Sequence, residues 1–164
     1  MPSRLDPAWL VRLYGLVLGA SLLLEGGLLL ALGALSAALP ALPFATGDVR
    51  HNALHVVWGV AILTLLVTDR SAERATLVAV VFGVFYSLLG MLGLLVDRPF
   101  GLLLGPGENA FHLTVGPLAL ALGAWSARQA SSGSASSSSE SSAARAASVS
   151  LDTASDSTGS SPPR

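Results

Sequence analysis

Two stretches of the chain place reactive side chains in the same frame: "HNALHVVWGV" (His51 to Val60) and "ENAFHLTVGP" (Glu108 to Pro117). In each, Asn is followed three residues later by His and four after that by Gly, giving Asn52, His55 and Gly59, then Asn109, His112 and Gly116. Spacings of three and seven put the three side chains on one face of a helix. A helix N-terminus disfavours protonated imidazole, so a ring placed there stays neutral and able to ligate. Two such rings from separate helices open two chemistries: axial ligation of a haem, or a transition metal held with a carboxylate as third ligand. Glu25, inside the first long apolar stretch, is the candidate third ligand.

The same residues also have a plainer reading. Asn is a favoured N-cap, and His at N3 can turn back as Glu does in a capping box, which would make each motif a helix start. Gly59 and Gly116 would then let a neighbouring helix approach closely. Glu25, with His55, His112, Tyr86 or Ser87 as expected partner, is either a protonated carboxyl hydrogen-bonded between helices or a proton or ion relay.

The elements that must position these groups are apolar. The chain has 164 residues, 52% hydrophobic and only 12% charged, with a mean hydropathy of +0.66, whereas a soluble domain carries about 25% charged residues. Four apolar segments stand out, at Trp9 to Leu35, Asn52 to Thr68, Ala75 to Val96 and Asn109 to Ala127. Each is about the length that crosses a bilayer as a helix. The reading is an all-α, four-helix integral membrane bundle over residues 9–127, preceded by a short N-terminus, 1–8. Ser71 is the expected N-cap of the third helix. Residues 128–164 are serine-dominated and too poor in apolar side chains to bury a core, so a disordered tail is expected there. Pro117, one residue past Gly116, argues against a regular fourth helix.

Arginine placement predicts orientation. Arg4, Arg12, Arg70, Arg74 and Arg128 flank one side, against Arg50 and Arg98 in the two longer loops. The positive-inside rule puts both termini and the tight turn in the cytoplasm, so both motifs open their helices from the outer side of an inner (plasma) membrane. Trp9 and Trp125 fit the inner aromatic belt.

"LGASLLLEGG" (Leu18 to Gly27) matches "FGVFYSLLGM" (Phe82 to Met91), with Gly19 over Gly83 and Gly26 over Gly90; Glu25 falls over Leu89. The pattern is that of two tandem helical hairpins, an internal repeat whose copies enter the membrane in the same direction. In an up-and-down bundle the second and fourth helices are diagonal, which would set His55 and His112 facing each other at one depth. "HNALHVVWGVAIL", "DRSAERATLVAVVFGVFYSLLGMLGL" and "PGENAFHLTVGPLAL" are similar to the bacterial and archaeal four-helix membrane proteins of the domain-of-unknown-function family DUF4383, over roughly Leu13 to Ala124. The resemblance implies four spans and brings no activity with it. Pro117 and the serine tail depart from that family's pattern.

Several classes drop out. There is no cysteine, so thiol catalysis and thiolate metal sites are excluded. Net charge is -1 with no basic field, which gives nucleic acid no footing as a partner. No phosphate loop, catalytic triad, HExxH motif or close carboxylate pair is present. The sequence therefore reads as a non-enzymatic multi-pass protein with a structural or interaction role, its partner the lipid bilayer and no cofactor required. The alternatives are a haem- or metal-binding redox protein using His55 and His112, or a small transporter or proton pathway through Glu25, which would need a homo-oligomer to enclose a pore.

Overall fold

The computed structural model of the chain describes residues 6–39, 47–96 and 98–156, with side chains described as far as Ser132. It is all-helical, with no strand among the described residues: α1 spans Pro7–Ala38, α2 Val49–Thr68, α3 Ala72–Leu95 and α4 Pro106–Asp156, and a single 3-10 turn at Pro99–Gly101 precedes α4. All four α-helices are long and apolar enough to cross a membrane. In lipid a helix satisfies its own backbone, so only its ends need outside partners. Asp6 accepts from Ala8 N (3.0 Å), Asp48 from Arg50 N (2.7 Å) and Ser71 Oγ from Arg74 N (3.2 Å), so Ser71 caps α3 as expected.

The helices begin earlier than their apolar runs. The last three open at Val49, Ala72 and Pro106, each three residues ahead of the apolar boundary. Polar side chains do not stop a helix whose cap lies further upstream. For α2 that cap is Asp48, and it adds a turn that carries Arg50 and His51 into the helix.

Packing divides each helix into an inner stripe and an outer apolar face. Val11, Leu22, Ile62, Leu66, Phe82, Tyr86 and Ala119 are buried together in the core. Leu24, Leu28, Val57, Val67, Leu77, Leu88 and Leu95 are exposed, an apolar exterior suited to lipid rather than water. Close approach within each hairpin depends on glycine. A Cβ on Gly59 would stand 2.6 Å from Leu23 N and 2.8 Å from Gly19 O; one on Gly116 would stand 2.6 Å from Ser87 N. Likewise a Cβ on Gly26 would lie 2.9 Å from His55 Cβ, and one on Gly90 would lie 3.1 Å from His112 Cβ. The helix backbones thus touch where side chains would force them apart.

Polar ties are few and sit near the ends. Tyr14 Oη donates to Val115 O of α4 (2.7 Å), and Thr76 Oγ1 donates to Ser126 Oγ (2.9 Å). At the tight turn, Asp69 accepts from Ser71 N (2.9 Å) and Arg74 Nε (3.2 Å). These bonds, the Ser71 amide first, hold the Asp69 carboxyl below the usual carboxylate range. At the opposite end, Leu103 N donates to Asp48 Oδ2 (2.8 Å), tying the loop before α4 to the start of α2.

One sequence expectation for α4 meets a different backbone. The helix passes through Pro117 without interruption. The missing N–H and the ring's steric demand are absorbed within one long helix, as tolerated in membrane spans where neighbours and side chains re-satisfy freed groups. The chain divides after Ala127 into two units, and the backbone of the second is helical as far as Asp156. Arg4 and Pro43, and the residues around each, lie outside the described residues.

Candidate metal centre

The extra turn that Asp48 adds to α2 decides what the site contains. It puts His51 one helical turn before His55, on the same face, a spacing of four that lets two imidazoles converge on one point. From α4, His112 comes to the same place. Its ring centroid is 5.3 Å from that of His51 and 6.2 Å from that of His55, while His51 and His55 are 4.4 Å apart. One ring nitrogen from each of the three lies within 4.8 Å of the others. All three side chains are buried, His112 completely.

The polar atoms here lack partners. Both ring nitrogens of His55, both of His112 and Nε2 of His51 are buried with no hydrogen-bond partner among the described residues. Buried polar atoms are nearly always paired, because leaving one unpaired costs about 1–3 kcal/mol. Five orphan nitrogens in one cluster are a concentration that helix packing does not require. Tyr86, fully buried on α3, forms the floor, its ring 4.9 Å from His112 and 6.3 Å from His55.

A cleft of about 250 Å³ opens onto the cluster, lined by Glu25, His51, His55, Glu108, Phe111 and His112, with Gly107 at its edge. Glu25 reaches it from α1, with Oε2 3.5 Å from His55 Nδ1. The two are in ion-pair range but not aligned as a hydrogen bond. Of the partners expected for Glu25, His55 is the one it meets; Tyr86 Oη and Ser87 Oγ are buried without hydrogen bonds. The Glu25 side chain is 53% exposed, so it sits at the rim of the cleft rather than between helices. Glu108 stands in the second motif where His51 stands in the first, and lines the same cleft.

The helix-start reading of the two asparagines is corrected. Asp48, not Asn52, caps α2, and Asn109 lies inside the first turns of α4. Its side chain instead donates from Nδ2 to Gly93 O of α3 (2.9 Å), bridging two helices. Neither His55 nor His112 turns back on its own helix start. Gly59 and Gly116 are where close packing needs them. His51 is the cluster residue that the sequence pattern does not single out. Its signal was present as the spacing of four to His55, hidden because the helix was taken to begin at Asn52.

The geometry also bears on haem. A macrocycle ligated by His55 and His112 would lie between their rings, and His51, only 4.4 and 5.3 Å from them, occupies that space. The three rings offer their donor atoms to one small volume and leave no slot for a porphyrin between His55 and His112. No protein family, curated protein or solved structure matches the chain.

Proposed function

We propose that this chain is a four-span membrane protein whose outer end binds one transition-metal ion through His51, His55 and His112. The observation that carries the reading is the cluster itself: three buried imidazoles from two helices, five of their six nitrogens unpartnered, with donor atoms within 4.8 Å of one another. Three neutral imidazoles suit zinc, copper, nickel or iron far better than calcium or magnesium. With no thiolate or thioether in the set, the divalent ions are favoured over copper(I).

The membrane setting follows from the four apolar helices and their lipid-like exterior. The arginine distribution orients the chain with both termini and the Asp69–Arg74 turn in the cytoplasm, so the cleft faces the outer side. The recurring glycine and histidine contacts support a duplicated hairpin, in line with the resemblance to the DUF4383 proteins. In this reading the protein captures or senses a metal ion at the outer surface of the plasma membrane, and the four-helix packing exists to hold three rings at one depth.

The test is direct. Protein purified in mild detergent and titrated with Zn²⁺ or Cu²⁺ should take up one equivalent per chain, and His51→Ala, His55→Ala or His112→Ala should each abolish tight binding. If the parent takes up no metal beyond what the triple variant does, the histidines are packing residues and the reading fails. A reporter inserted after Gly47 should score as external; a cytoplasmic signal would reverse the orientation.

A further inference from the structure

We infer that Glu25 supplies the fourth ligand of this centre, making it a tetrahedral His3Glu site for a zinc-class divalent ion with its one exchangeable position at the cleft. The inference rests on the three-histidine reading and adds the coordination number, the ligand set and the metal class. In a tetrahedral centre with metal–N and metal–O bonds of about 2.0–2.2 Å, neighbouring donor atoms stand about 3.4 Å apart. Glu25 Oε2 and His55 Nδ1 stand 3.5 Å apart, the edge of such a tetrahedron. They are not aligned as a hydrogen bond, as expected of two donors whose lone pairs converge on a third point. The histidine donor atoms lie within 4.8 Å of one another, so all three face the same small volume.

Charge points the same way. A divalent ion among neutral imidazoles leaves two positive charges in a low-dielectric site, and one carboxylate halves that net charge. Among the described acidic side chains, Glu25 is the one with a carboxylate oxygen within 4.0 Å of a ring nitrogen of the cluster. Glu108 lines the cleft, but its Oε2 is folded back over Gly105, 2.7 Å from where a Cβ on that glycine would stand. The partial exposure of Glu25 gives it room to swing, which makes it the ligand that water or a small anion entering the cleft would displace.

Cobalt(II) reports the geometry. The full chain loaded with Co²⁺ should show the intense visible bands of four-coordinate cobalt. Glu25→Gln should weaken binding by on the order of 100-fold and change those bands, Glu25→Asp should recover part of both, and Glu108→Gln should alter neither. Metal-free thermal unfolding of Glu25→Gln should match the parent, since its side chain is at the rim. If Glu25→Gln lowers affinity but leaves the bands unchanged, Glu25 orients a ligand instead of being one, and the inference fails. It fails equally if the parent spectrum is that of six-coordinate cobalt, or if Glu108→Gln has the effect assigned to Glu25→Gln. In those cases the three-histidine site stands; if the parent binds no Co²⁺, both readings fall together.

Discussion

The α1/α2 hairpin and the α3/α4 hairpin use the same glycine contacts and differ in what they bring to the cleft. Gly59 meets α1 at Leu23 as Gly116 meets α3 at Ser87, and Gly26 sits against His55 as Gly90 sits against His112. At the cleft the first hairpin offers His51, His55 and Glu25, whereas the second offers His112 and Glu108, with Leu89 in the frame position of Glu25. Packing positions are shared and donor positions are not. Two like scaffolds thereby produce one asymmetric cluster, three histidines and two carboxylates around a single cleft.

The largest effect should fall on the shared histidine frame. His112→Ala removes one of the three proposed ligands and opens a hole in the core, so zinc affinity measured by competition with a chromogenic chelator should drop by about 100-fold or more. Next come the packing glycines. Gly59→Val and Gly116→Val drive a side chain into neighbouring backbone, and each should cost about 1–3 kcal/mol or more in detergent unfolding. Gly27→Ala, with nothing within 4 Å of its added carbon, should change little. Equal losses at Gly59 and Gly27 would mean that the close contacts are not what hold the first hairpin together.

Asn109→Ala breaks the Nδ2 bond to Gly93 O. The expected cost is about 0.6–1.7 kcal/mol, as for other interhelical hydrogen bonds in membranes. The smallest effect concerns Asp48. Its carboxyl is held below the usual range, first by the Leu103 amide and then by those of Arg50 and His51. Its folded pKa is therefore lower than its unfolded one. That stabilisation is complete above the ordinary aspartate pKa and is lost as pH falls through the lowered value. Parent and Asp48→Asn unfolding midpoints, compared from pH 7 down to about pH 3, should converge at the acid end, with a gap below about 1 kcal/mol at neutrality because the group is solvent-screened. A gap that widened on acidification would invert the assignment.

Much of this was legible in the chain. Four membrane-length helices, the Ser71 cap and the glycine approach points follow from hydropathy and helical period, and the cost of an ionisable group in lipid makes His55 one of four partners expected for Glu25. What escaped was a matter of one turn. Asn52 and Asp48 are both good caps four residues apart, and propensity does not choose between them. The bond from the distant Leu103 amide favours Asp48, and no local pattern reveals it. With the helix begun at Asn52, His51 becomes a loop residue and the third imidazole of the cluster disappears from view. Asn109 was misread for the same reason: its bond to Gly93 is a tertiary contact.

Asp48 uses one carboxylate oxygen to start α2 and the other to hold the Leu103 amide. The loop leading to His112 and the turn carrying His51 therefore share an anchor, so an ion that locks the histidines also restrains that loop. By linkage, the stabilisation conferred by bound metal should extend to local opening at this anchor. The Leu103 amide then becomes an internal gauge of occupancy, exchanging its hydrogen with solvent more slowly as the site fills.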